Sequence, residues 1–231
     1  YPTMDVLKTI EAAAPDHGRP VILVGERGQG KSHIMAALCH ALTDNGETSK
    51  WLGHWSQMLG NPKLKKIQLR TGMHVISESL HRQRYKHLWD LLFECHPDGA
   101  HCRGIWEGLG DKKPDIPSDK ILLQMFSHTP TALVLDEYQT WFDGLTNTKQ
   151  FPWRTWAFNF IQLLSEIAKD HPDKLLLVVS VRNGGTDAFQ QIQRVAPVIV
   201  DFKGPEAKHD RLRLLLHRLF ENRMQVPPAQ V

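Results

Sequence analysis

Residues Gly25-Glu26-Arg27-Gly28-Gln29-Gly30-Lys31-Ser32 spell G-x-x-x-x-G-K-S between an apolar run, Val21 to Val24, and a helix-patterned run, His33 to Leu38. A buried strand, a glycine-rich loop and a helix in that order leave few folds open. The motif needs this context, because the loop's N–H groups must turn inward around a chain of phosphates while the helix offers its N-terminus to the same anion. The expected ligand is therefore a nucleoside triphosphate, ATP with Mg²⁺, held by Gly25 to Ser32 with His33 following. Lys31 is expected to bridge the outer phosphates as a point charge, and Ser32 to place its hydroxyl on Mg²⁺. Glu26, Arg27 and Gln29 are the variable positions, with side chains expected to face solvent or a neighbour. Arg27 is the weaker candidate for touching nucleotide. His33 reads more naturally as a surface or packing residue of the helix than as a ligand.

The second chemical signal is Thr131-Ala132-Leu133-Val134-Leu135-Asp136-Glu137, a short apolar strand ending in two acids. Asp136 is expected to serve Mg²⁺ through water or through Ser32. Glu137 is the candidate base for the attacking water, with an acidic turn residue as the plain alternative. Roughly 105 residues separate loop and acids. That is too many for one β-α-β unit, so one further strand and an insertion are expected between them. The run Leu175 to Val181 is apolar throughout, as a strand covered on both faces requires. It ends in Ser180-Val181-Arg182-Asn183-Gly184-Gly185. If this strand neighbours the acidic one, Asn183, Arg182 or Ser180 would sense the γ-phosphate or orient the water; otherwise the segment is a turn governed by its two glycines. Gln139 either transmits nucleotide state or caps the loop locally. Arg154, Arg194, Arg211 and Arg213 are candidates for a charge donated to a second subunit.

Periodicity places helices at about 4–14, 31–42 and 84–93, and another opened by Phe151-Pro152 with an apolar stripe of Trp153, Trp156, Ala157, Phe160, Ile161, Leu164 and Ala168. Further helices are expected at about 187–195 and 206–222. Strands are expected at 20–24, 73–77, 131–137, 175–181 and 198–201. Residues 44–70 read as polar surface, helical in part, and 96–119 as mostly loop. Alternating strands and helices give a mainly parallel sheet between helical layers. The expected fold is thus α/β, a three-layer P-loop NTPase. Ligands of such sheets lie beyond the carboxyl ends of the strands, where the loop and the acid pair both fall. The expected organisation is a core over 1–222, with a peripheral or inserted region at 44–120, and 223–231 as a linker or the start of a next region. A start at Tyr1-Pro2-Thr3 without Met reads as a fragment of a longer protein.

Composition narrows the alternatives. The net charge of +3 permits nucleic acid contact without arguing for it. Three cysteines fit a reducing compartment rather than a disulfide framework. No apolar stretch approaches the roughly 18 residues that a membrane span needs, and a cytoplasmic location is expected. Cys95, His96, His101 and Cys102 have zinc-ligand chemistry, but the C-H-x-x-x-x-H-C spacing suits a packed loop better than a tetrahedral centre. Trp51 and Trp55 near Lys63 to Lys66 either pack a peripheral helix or form a nucleic acid surface.

The quoted segments also carry a resemblance. "VILVGERGQGKSHIMA" (Val21 to Ala36) and "TALVLDEYQTW" (Thr131 to Trp141) resemble the loop and acidic motif of AAA+-like (ASCE) ATPases in large bacterial phage-exclusion (BREX-type) defence proteins. "VVSVRNGG", "VIVDFKGP" and "RLLLHRLFENR" resemble the segments that follow. The resemblance implies Gly25 to Ser32 as phosphate loop, Asp136 and Glu137 as metal and water-activating acids, and Ser180 to Asn183 at the first sensor. It implies double-stranded DNA, other defence-system proteins including a DNA methyltransferase, and a homo-oligomer as partners. The chain ends where a helical lid with a further arginine sensor would begin. The leading expectation is an ATPase driving a conformational or assembly switch. A nucleotide-gated scaffold with slow turnover is the alternative, and a small-molecule kinase suits the Asp-Glu pair less well.

Overall fold

The computed structural model describes residues 2–15, 17–82 and 84–202. Its strands are β1 (Val21–Val24), β2 (His74–Ser79), β3 (Thr131–Asp136), β4 (Leu175–Val181) and β5 (Val198–Asp201). The helices are α1 (Met4–Ala12), α2 (Lys31–Thr43), α3 (Asn45–Met58), α4 (Leu88–Cys95), α5 (Gly99–Glu107), α6 (Asp119–His128), α7 (Tyr138–Asp143), α8 (Trp153–Asp170) and α9 (Asp187–Gln193). The strands form one sheet in the order β2-β3-β4-β1-β5, and every pairing is parallel.

The apolar strands explain the layers. Side chains alternate between the two faces of a strand. Ile22, Leu133, Leu135, Leu177 and Val179 therefore enter the core beneath α4, α6, α7, α8 and α9. Val21, Leu23, Ala132, Val134, Leu176, Val178 and Val200 enter the opposite core, against α1 and α2. A parallel sheet buried on both faces is the arrangement that such uninterrupted apolar runs favour. It is an α/β three-layer architecture, with β4 inserted between the loop strand β1 and the acid strand β3.

Between the two motifs, residues 44–70 are helical in part as expected, while residues 96–119 depart from expectation. Residues 44–70 hold a full helix, α3, whose N-cap Asp44 accepts from Glu47 N at 3.0 Å, and a 3₁₀ turn at Pro62–Lys66. Leu52, Trp55 and Leu64 close a small core with Leu7 of α1, while Trp51 packs against its edge. Trp55 thus faces inward, and Lys63, Lys65 and Lys66 are solvated. Residues 96–119 are not mostly loop. Helix α5 packs Cys102 and Trp106 inward, and Gly99 lets it start tightly, since a Cβ there would lie 2.3 Å from Phe93 O. Helix α6, absent from the sequence reading, buries Ile121, Leu122, Met125 and Phe126. The expected helix at 206–222 lies outside the described residues.

His96 and Cys102 are packing residues. Among the described residues, no three His, Cys, Asp or Glu side chains converge as a metal-binding group. The His96 ring is buried, with Nε2 against Thr129 O at 3.1 Å and Nδ1 accepting from Asp98 N at 3.0 Å. That pair of bonds suits the neutral ring, with its proton on Nε2. Burial pushes its pKa below the ordinary value, against the opposing pull of Thr129 O and Asp98. The unfolded chain therefore takes up the proton before the folded one does. Stability should be full above about pH 6.5 and fall as the pH drops below it, by at most about 1.4 kcal/mol per pH unit from this residue. Urea midpoints at pH 7 and pH 5 should differ less in His96→Gln than in the native chain.

One buried cation closes the end of the sheet opposite the acids. Arg70 donates from Nε to Ala13 O at 2.7 Å, from Nη2 to Ala14 O and His17 O, and from Nη1 to Pro172 O. It binds the end of α1 to the turn between α8 and β4.

Candidate nucleotide site

The loop between β1 and α2 takes the shape its glycines permit. Gly28 and Gly30 have φ of +77° and +94°, which side chains other than glycine's rarely adopt. Gly30 is the N-cap of α2 and carries no side chain to cap it, so the first-turn N–H groups of a 13-residue helix face the loop without a side-chain acceptor. Lys31 is buried and donates from Nζ to Gly25 O at 2.6 Å and to Glu26 O at 3.0 Å. Two of its three donors are thus spent on the loop itself. Burial lowers its pKa, opposed by Glu137, Asp136 and Glu26 and reinforced by the nearby Arg182 charge.

Three strand ends meet around the acids. Ser32 Oγ donates to Asp136 Oδ2 at 2.5 Å, joining residues 104 apart in sequence. Buried Ser180, at the end of β4, donates to Asp136 Oδ1 at 2.5 Å and accepts from Glu137 N at 2.9 Å. Glu137 has left-handed backbone, φ 55° and ψ 32°. Adjacent strand residues normally diverge; this twist turns the chain from β3 straight into α7. It carries strain of the order of 1 kcal/mol, offset by the bonds its N–H makes to Asp136 Oδ1 and Ser180 Oγ.

The Glu137 carboxylate is held. Thr140 Oγ1 donates to its Oε2 at 2.5 Å, Arg182 Nη2 donates to Thr140 Oγ1 at 2.7 Å, and Arg182 Nη2 lies 4.0 Å from the same Oε2. Gln139, buried on α7, accepts on Oε1 from Arg182 N at 2.8 Å and Asn183 N at 3.4 Å. The end of β4 and the first turn of α7 are thereby one unit.

Of the residues singled out from sequence, the structure brings together Lys31, Ser32, Asp136, Glu137, Ser180 and Arg182. Glu26, Arg27 and His33 are exposed. Gln29 is half-buried and meets a neighbour, one of the two outcomes expected. It folds into the loop in the space Gly25 leaves, where a Cβ would meet its Oε1 at 2.4 Å. Asn183 turns onto its own loop, accepting from Gly185 N at 3.3 Å, which is the local-turn geometry. Arg154 pairs with Asp187 at 3.0 Å and lies over the Phe142 ring, and Arg194 lies over Phe158. Arg211 and Arg213 lie outside the described residues. Sequence reading missed Thr140 as a partner of Glu137, although its spacing of three along a helix start was a usable signal.

The residues fit a magnesium–triphosphate group. Ser32 and Asp136 supply hard oxygen donors, the kind Mg²⁺ prefers when phosphates complete its shell. The glycine loop, the helix N-terminus and Lys31 supply the anion site.

The parallel sheet, its helical layers and the glycine loop match an α/β three-layer, P-loop NTPase-like fold, and the strand inserted between the two motif strands is consistent with an AAA+-like architecture. No family model matches the chain, and no curated protein matches it. Six solved chains do. One is AMPPCP-bound DnaA from Aquifex aeolicus, at 16% identity and a TM-score of 0.39, covering 94% of this chain and 50% of that one. The chain thus spans half the length of that structure. Likeness at this distance bears on neither ligand nor partner. Among the described residues, no helix is long and apolar enough to cross a membrane.

Proposed function

We propose that this protein binds ATP with Mg²⁺ and hydrolyses it by water attack on the γ-phosphate. The observation that carries this reading is the Ser32–Asp136 hydrogen bond, which joins the glycine loop to the acid pair at the carboxyl ends of the strands. Lys31 and the first-turn N–H groups of α2 would hold the triphosphate. Magnesium, held by Ser32 and served by Asp136, would supply charge neutralisation at the outer phosphates. Ser180 fixes the Asp136 carboxylate and the Glu137 backbone. Glu137 takes a proton from water as the water oxygen bonds to the γ-phosphorus and the bond from that phosphorus to the bridging oxygen breaks, leaving ADP and phosphate. A carboxylate accepts on both oxygens, so Glu137 can take that proton while Thr140 stays on Oε2.

The hold of Thr140 and Arg182 on Glu137 favours a second reading, a nucleotide-gated module with slow turnover. Beyond the site, the resemblance to phage-exclusion ATPases supports a wider proposal: a switch in an antiphage defence protein, acting with duplex DNA and partner proteins. Lys31→Ala tests the shared premise. ATP affinity, measured by calorimetry with Mg²⁺, should fall about 100-fold as one charge-assisted contact is removed. Unchanged affinity would sink both readings.

A further inference from the structure

Phe151 is a large apolar side chain left 38% exposed at a loop tip, yet the tip is fixed. Thr148 N donates to Phe151 O at 3.0 Å, and Phe151 N donates to Thr148 Oγ1 at 2.9 Å. Asn147 bridges to Pro152, and its Oδ1 accepts from Arg154 N and Thr155 N at the start of α8. Behind Phe151 stands a column of rings. Phe151 stacks on Trp153 with centroids 4.9 Å apart and planes 22° apart; Trp153 leans on His87 at 4.8 Å; His87 stacks on buried Trp89 at 4.1 Å and 11°. Burial lowers the His87 pKa, against the pull of Asp90, which suits a neutral ring inside the stack.

Cations border the column. Lys86 Nζ lies 5.7 Å from the centre of the Trp153 ring. Lys149 is two residues from Phe151, and Arg84 lies over the Tyr85 ring; the side chains of all three cations are exposed. On the flank, Asp115 is occupied by Trp156 Nε1 at 3.1 Å.

We propose that this column is a binding platform for single-stranded nucleic acid, with a base continuing the ring stack from Phe151 and phosphates meeting Lys86 and Lys149. Unpaired bases offer the flat faces that such a stack end accepts, and cations beside the rings match the backbone that accompanies them. A duplex keeps those faces inside. The platform touches the helix that follows Glu137, since Trp141 Nε1 of α7 donates to Tyr85 O at 2.9 Å, two residues before His87.

The test is fluorescence anisotropy of a labelled oligothymidylate of about 16 nucleotides with the full chain, at low salt and without nucleotide. Omitting ATP keeps the result independent of the hydrolytic reading. Phe151→Ala should weaken binding about tenfold, with a melting temperature still well above the assay temperature. Lys86→Ala should weaken it and lower the salt slope by about 0.7. Unlabelled single strand should compete better than duplex of the same length. Absence of binding overturns the proposal. So does affinity indifferent to Phe151→Ala, or better competition by duplex, which would mark a charge-only contact. Binding of an acidic peptide but no oligonucleotide would assign the face to a protein partner and overturn it equally.

Discussion

Glu137→Gln lowers ATP turnover about 1000-fold and leaves ATP affinity within about twofold, on the proposed mechanism. General-base assistance is worth roughly 10²- to 10⁴-fold, and glutamine cannot take the proton. The substitution leaves the fold almost untouched. Glutamine keeps an oxygen for the Thr140 hydroxyl, and the Glu137 N–H bonds to Asp136 and Ser180 involve backbone only. The measurement is phosphate release at saturating ATP, with affinity from calorimetry beside it. A variant that turns over at the native rate would leave Glu137 as a turn residue and favour the slow, gated reading. Equal loss of binding and turnover would instead mean that the charge at 137 serves the ligand rather than the water.

The second large effect falls far from the nucleotide. Arg70→Leu should lower folding stability by about 4 kcal/mol, because four carbonyls lose one buried guanidinium together and, of these, Ala14 O keeps a second donor in His17 N. Against a usual total of about 5–15 kcal/mol, that brings the chain close to unfolding. Arg70→Lys should fall between the two. An ammonium keeps the charge, but its three donors cannot match the fork that reaches Ala13, Ala14, His17 and Pro172 at once. Urea midpoints would decide it. A shift smaller than about 1 kcal/mol in Arg70→Leu would show that water replaces the guanidinium at those carbonyls.

Arg70 also shows what sequence patterns miss. The four carbonyls its guanidinium meets lie more than fifty residues away, and a lone arginine in a polar stretch carries no periodic mark. By contrast, β1, β3 and β4 were legible because each is an unbroken apolar run bounded by a loop or a charge, and α8 because its stripe persists for several turns. The one strand expected between the two motifs is there as β2. Its boundary shifted from 73–77 to His74–Ser79 because an edge strand is buried on only part of its length. Helices α5 and α6 escaped because each is short, and because glycines, prolines and aspartates around them imitate a loop. Gly99 has the opposite meaning in the structure, allowing α5 to sit against the carbonyl of Phe93. At the site, residue types and strand ends were readable, but not which side chain faces which. Asn183 and Arg182 are neighbours in sequence, and only the turn geometry sends one to its own loop and the other toward Glu137.

The sheet order has a consequence for how the two motifs communicate. Strands β1 and β3 are not neighbours; each pairs with β4. The gap between phosphate loop and acids is therefore one strand wide, and β4 acts as its gauge block. Ser180, fully buried at the tip of that block, sets the final clearance with a single hydroxyl. A methyl added there would widen the gap that Ser32 and Asp136 close, whereas the same methyl on β2 or β5, outside the gauge, would leave it alone.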